Sequence, residues 1–237
     1  MSILLEICID SIESAMAAKR GGADRLEVCS SLAVEGATPS YGLVKRCMEE
    51  TRLPVMMMIR PHDGGFVYSD ADIDVMLSDI EMGHTLGVDG FVFGVLNHER
   101  RVHIEQCQRL LAATGSREVT FHRAFDVVPD PIQAFDSILD LGFNRLLTSG
   151  QAANAQQGIS LIRELTIRAK ERISILPGVG IDSHNARAII EATGVSELHT
   201  AASVASHSGQ SGQEVSFGNH RNVASEEIVR AIRQAVA

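Results

Sequence analysis

The 237-residue sequence predicts a single (β/α)₈ TIM barrel, one domain over 1–237. Three observations carry that reading. Short apolar runs rich in β-formers alternate eight times with amphipathic stretches, at a period of about 30 residues that suits one strand plus one helix. A tight helix-to-strand junction recurs, as Gly22-Ala23-Asp24-Arg25, Gly87-Val88-Asp89-Gly90, Gly142-Phe143-Asn144-Arg145 and Gly194-Val195-Ser196-Glu197. The strand runs are almost continuously apolar, as parallel strands covered on both faces must be. Eight such units match a barrel of roughly 250 residues, whereas an open doubly wound sheet seldom carries so many evenly spaced units.

The strands are expected at 4–9, 25–30, 54–60, 90–96, 118–124, 145–150, 173–180 and 197–203. Each is followed by a helical pattern, at 12–20, 41–50, 73–86, 104–113, 132–141, 158–169, 184–192 and 226–236. Gly21, Gly87, Gly142 and Gly194 suit left-handed helix caps. The segment 204–223, rich in Ser, Gly and Gln, reads as a long loop before the last helix, either functional or disordered.

Composition narrows the function. Hydrophobic content of 45% with only 4% aromatic describes an aliphatic core. The formal charge of −9, without a Lys/Arg cluster, gives no basic footprint for nucleic acid. No apolar run approaches the roughly 18 residues of a membrane span. Ile3-Leu4-Leu5 is broken by Glu6 and the first basic residue is Lys19, so no export signal is read and a cytoplasmic location is expected. Four cysteines without a C-x-x-C pair then suggest reduced thiols and no structural zinc site.

Polar residues at strand ends mark the candidate site, because barrels of this type work at the C-terminal mouth of their strands. Leu5-Glu6-Ile7-Cys8 and Leu26-Glu27-Val28-Cys29 are near-copies on strands expected to be neighbours. Alternation puts Glu6 with Cys8, and Glu27 with Cys29, on one face, and a carboxylate is less costly in the lumen than under a helix. Neighbouring strands lie roughly 4.8 Å apart, so Cys8 and Cys29 could share a soft ion such as Cu(I). The competing reading is that both are small core hydrophobes, as Cys47 and Cys107 on helices are expected to be. Met56, Met58 and Arg60 share a face of strand three, and a buried guanidinium demands a carboxylate (Glu6 or Glu27) or an anionic ligand. Strand five ends in His122-Arg123 and, three residues on, Asp126, and strand eight in His199; imidazole is the usual acid/base near neutral pH. Gly178 and Gly180 at the end of strand seven, with Ser203 at the end of strand eight, occupy the place where such barrels receive phosphate on free backbone amides.

Taken together, Leu5–Cys8, Gly22–Cys29, Thr38-Pro39-Ser40, Ile59-Arg60-Pro61, Phe66-Val67-Tyr68-Ser69, Val92–Leu96, Thr120–Asp126 and Leu147–Gln151 resemble the CutC copper-homeostasis family. The resemblance implies a TIM barrel, a cytoplasmic protein, frequent homodimers, and a role in copper tolerance through Cu(I) held by Cys8 and Cys29. Two departures stand out: Glu35-Gly36-Ala37 replaces the family's Gly-Gly, and His62 replaces a second Arg. The residues alone also allow an enzyme of lyase, isomerase or hydrolase type acting on a small anionic or phosphorylated metabolite. Glu6, Glu27, Arg60, His122, Arg123 and His199 would then serve catalysis, with Gly178, Gly180 and Ser203 on the anion.

Overall fold

The computed structural model describes residues 3–207 and 220–237. Its eight parallel strands are β1 (Leu4–Ile9), β2 (Arg25–Val28), β3 (Val55–Met58), β4 (Gly90–Phe93), β5 (Glu118–Phe121), β6 (Arg145–Thr148), β7 (Ser174–Pro177) and β8 (Glu197–Thr200). The helices are α1 (Ile12–Gly21), α2 (Tyr41–Thr51), α3 (Asp70–Leu86), α4 (Ile104–Thr114), α5 (Pro131–Leu141), α6 (Ile159–Ala169), α7 (Ala186–Thr193) and α8 (Glu226–Ala235). The strands follow one another around the sheet, with β8 paired to β1. Most strands end earlier than the sequence suggests, because the chain leaves the ladder where the polar mouth residues begin.

The barrel is nearly closed, with a seam between β7 and β8. Ser174 and Gly178 donate their N–H groups to Asn144 and Thr148 on the β6 side. Alternation therefore turns Ile175 and Pro177 toward β8, and Pro177 has no N–H to give. Among the described residues, no ladder joins these two neighbours.

Alternate strand residues divide the interior in two. Leu5, Ile7, Ile9, Leu26, Val28, Phe91 and Phe93 are fully buried against the helices, where α3 contributes Ile73, Met76 and Ile80. The opposite set lines the lumen. At its N-terminal end lies an ionic layer: Arg25 bonds Glu6 and, at 2.5 Å, Glu197, while Arg145 bonds the same Glu197 carboxylate at 2.8 Å and Glu118 at 2.7 Å. Ser174 donates its hydroxyl to Glu197 at 2.8 Å. Above it, Met56, Met58, Val92 and Cys29 form a small apolar cluster.

Local sequence fixes the helix ends. Ser11, Ser40 and Ser225 accept N-terminal amide bonds, and Ser69 with Asp72 forms a reciprocal capping box. Gly87, Gly142 and Gly194 are left-handed caps as expected. Gly21 is not: the cap is Gly22 (φ 93), and Gly21 closes α1 where an added Cβ would lie 2.5 Å from Val229 Cβ of α8. The expected loop at 204–223 also differs. Its ends form an antiparallel ribbon of β9 (Ser203–His207) and β10 (His220–Ala224), pairing Val204 with Val223. Small and polar residues hide the strand alternation there. Residues 208–219 of that expected loop lie outside the described residues.

Candidate functional site

A pocket of about 480 Å³ opens at the C-terminal mouth of the strands. Cys8, Glu27 and His199 line it from the strands, Arg60, Phe66, His122 and Arg123 from the β3 and β5 ends, and Val179–Asp182 and Thr200–Ser203 from the loops after β7 and β8.

Strand register decides which groups meet. Glu6 pairs with Arg25 on one side and with His199 on the other, and Cys8 pairs with Glu27. The two Glu-x-Cys copies are thus offset by two residues, so Glu27, not Cys29, stands level with Cys8. Barrel closure requires such a stagger between neighbouring strands. The donor atoms of Cys8, Glu27 and His199 all lie within 4.8 Å of one another. Cys29 sits beside them and its thiol approaches Glu27 Oε2 at 3.5 Å. Burial, with the Glu27 charge, pushes the Cys29 thiol well up. Cys8 is the one partly exposed cysteine, while burial pushes Cys47 and Cys107 up to about 12, as packing residues.

Glu6 lies deeper than expected: it does not line the pocket and is 1% exposed. Burial opposes its ionisation, but Arg25 and the His199 hydrogen bond outweigh burial and hold it at about 2. The ionised Glu6 accepts from His199 Nδ1 at 2.7 Å, and His199 Nε2 lies 3.8 Å from Glu27 Oε2. Burial also disfavours a charged His199, yet Cys8, Glu27 and the Glu6 bond push its pKa well above normal. Glu27 is pushed up, chiefly by burial, and its Oε1 has no partner among the described residues. The arrangement is a carboxylate-oriented imidazole whose second nitrogen faces a thiol and a carboxylate. It can bind a cation or pass a proton.

The wall differs from the sequence expectation in one respect. Arg60 does not meet Glu6 or Glu27; its guanidinium donates to the carbonyls of Val34 and Gly36 (both 2.7 Å) and Gly64 (2.8 Å). The Phe66 ring lies beneath it, with the centroid 5.4 Å away. The loops after β2 and β3 reach over the mouth and supply these oxygens before a carboxylate can. His122 is buried, and its Nδ1 accepts from the Ala124 N–H at 3.3 Å. Burial, then the Arg60 charge, lowers its pKa to about 3. Gly94 makes room for it, since an added Cβ would lie 2.7 Å from Nδ1. Arg123 is neutralised at the rim by Glu35 (2.6 Å) and Asp126 (3.0 Å). Asp126 in turn ties the β5 loop to β6 through Thr148 and Ser149.

Gly178 does not offer its amide to a ligand, because that N–H bonds Thr148 O and an added Cβ would meet Leu147 at 2.8 Å. Gly180 and Ser203 do line the pocket. Val179 between the glycines is held at φ 76, a strained conformation for a β-branched residue and one that gathers at functional sites. Sequence reasoning assigned no role to Phe66, although it lies in a quoted motif; an aromatic after a barrel strand was the signal.

Among the described residues, no helix is long and apolar enough to cross a membrane. The CutC family model matches residues 3–204. The copper homeostasis protein cutC homolog of Homo sapiens is 46% identical over 87% of this chain and 76% of its own length. The CutC family protein of Treponema denticola is 46% identical over 85% of this chain and 82% of its own. Among solved structures, CutC from Streptococcus agalactiae superposes with a TM-score of 0.80 at 34% identity, covering 84% of this chain and 98% of that one. Phosphoribosylanthranilate isomerase from Thermotoga maritima, at 14% identity and a TM-score of 0.60, shares the fold alone. The pattern of matched residues, together with this likeness of chain and barrel, makes the protein a member of the CutC copper-homeostasis family.

Proposed function

We propose that the floor of the mouth binds a transition-metal ion on Cys8, Glu27 and His199, with copper the ion that the relatives' names favour and Cu(I) the form that a thiol donor selects. One observation carries this: three donors of different chemistry converge within 4.8 Å, and one is an imidazole oriented by a carboxylate. The residues fit such an ion. Glu27 Oε1 is a buried oxygen with no partner among the described residues. A thiol favours soft ions, imidazole suits copper and zinc, and a carboxylate behind the histidine is the usual outer support. Cys29, engaged with Glu27, supports the site from beside it, which modifies the expectation of a Cys8/Cys29 pair. The working form we propose is a cytoplasmic homodimer, carried by the family resemblance.

Titration of reduced protein with Cu(I) against a competing chelator tests the reading. We expect about one ion per chain, a loss of roughly tenfold or more in affinity for Cys8→Ser and His199→Ala, and a smaller loss for Cys29→Ser. Equal losses for Cys8→Ser and Cys29→Ser would restore the two-thiol pair. Unchanged binding by a Cys8→Ser/His199→Ala double variant would end the proposal.

A pocket of about 480 Å³ is far larger than one ion needs. That volume favours a second reading, an enzyme acting on a small anionic metabolite, since metabolite pockets begin at roughly 300 Å³.

A further inference from the structure

We infer that the His122–Arg60 wall of the pocket, beside Phe66, binds the oxyanion group of a small organic acid or phosphate ester; this deepens the second reading and is independent of the metal. Three features point there. The first is an uncompensated charge. Arg60 is 5% exposed, and its bonds are to three carbonyl oxygens rather than to a carboxylate. A buried cation without a counter-charge is costly, and an anionic ligand removes that cost.

The second is a donor left over. His122 Nδ1 accepts from Ala124, so in the neutral ring the proton sits on Nε2. That Nε2–H is buried and has no partner among the described residues. Buried donors are rarely left so. Burial, with the Arg60 charge beside it, keeps the ring neutral. His122 is thus a hydrogen-bond donor, not the proton acceptor its residue type suggests.

The third is the cover. The Phe66 ring packs in a T-shaped contact with His122, with centroids 4.9 Å apart, and the Arg60 guanidinium lies over its face. Phe66 is only partly buried and lines the same pocket. Tyr68, two residues on, carries another buried hydroxyl without a partner among the described residues. Displacing one ring from the β3–α3 loop would open an N–H donor and a cation to the pocket together. A carboxylate or phosphate oxygen satisfies both, whereas an uncharged polyol satisfies only the donor.

Calorimetric titration of the metal-free reduced protein with malonate, with phosphoglycolate and with glycerol tests the inference. We expect saturable binding of at least one anion below about 10 mM and none of glycerol. Binding should weaken about tenfold or more in His122→Phe and persist in His122→Gln, whose amide keeps a donor at similar reach. The response of the two anions separates carboxylate from phosphate. The chain has no tryptophan, so Phe66→Trp gives a single fluorescence reporter whose emission should shift as the anion binds. No binding of either anion, equal affinity in His122→Phe, or an unchanged indole emission from the Phe66→Trp variant on saturation would overturn the inference. Failure of the enzyme reading in a turnover assay would leave this site standing, and loss of Cu(I) binding would touch only the metal proposal.

Discussion

His122 and His199 look alike in sequence, each closing a barrel strand, yet their surroundings drive them to opposite charge states. His199 stands between two carboxylates and a thiol and is pushed toward imidazolium. His122 is buried beside Arg60, its Nε2 has no acceptor among the described residues, and it is held neutral with a pKa of about 3. Environment, not residue type, assigns acid and base roles. The shift has a measurable consequence. Between pH 7 and pH 5 the unfolded chain protonates His122 around 6.5 while the folded chain does not, so this residue's stability contribution is lost as pH falls. Glu6, lowered to about 2, loses its own contribution only below its ordinary 4.5 and stays outside that window. The wild type should therefore lose about 2 kcal/mol more than His122→Phe on going from pH 7 to pH 5. Urea denaturation at the two pH values checks it, and parallel losses would show that His122 is not kept neutral.

At the scale of elements, strands and helices were legible in the sequence and their register was not. Runs such as Leu4–Ile9 are buried on the helix side, and Ser, Asp and Gly mark the helix ends, so starts are read locally. Register depends on how eight strands close on one another, which no single strand records. Glu6, Cys8, Glu27 and Cys29 were therefore found as candidates, but the meeting of Cys8 with Glu27 and the sinking of Glu6 below the pocket were not. Arg60 shows the same limit, since two of its three carbonyl partners, Val34 and Gly36, come from a loop more than twenty residues away along the chain. Gly21 was misread as a cap because two glycines adjoin and only packing against α8 separates their tasks. That packing makes a paired prediction. Gly21→Ala would put a Cβ 2.5 Å from Val229 and 2.9 Å from a backbone oxygen. It should destabilise by about 1–3 kcal/mol. Gly42→Ala, in α2 with nothing within 4 Å of the new methyl, should stabilise by up to about 1 kcal/mol. Thermal melting of the two variants should show shifts of opposite sign.

Across the whole molecule, the ionic layer at the N-terminal end of the lumen and the site at the mouth are joined through one residue. Glu6 bonds Arg25 below and His199 above, so a change at the closed end of the barrel reaches the open end without altering a pocket residue. Arg25→Met keeps the length of the side chain but removes the cation shared by Glu6 and Glu197. Two buried carboxylates are then left with fewer partners, and breaking a buried pair from one side costs roughly 3–5 kcal/mol. Glu6 would also be easier to protonate, since Arg25 is the largest influence keeping it charged. A protonated Glu6 orients and polarises His199 less well, and loss of such outer support lowers metal affinity by about 10–100-fold. Glu118→Ala is the control: its side chain is 55% exposed, so its bond to Arg145 should contribute at most about 1 kcal/mol and leave Cu(I) affinity unchanged. Both variants can be followed by urea denaturation and by Cu(I) competition on the fraction that remains folded. Weakened Cu(I) binding in folded Arg25→Met, beside unchanged binding in Glu118→Ala, is the expected pair of results. Equal affinity in both would mean that the His199 imidazole keeps its orientation without the ionic layer, and that the layer serves stability alone.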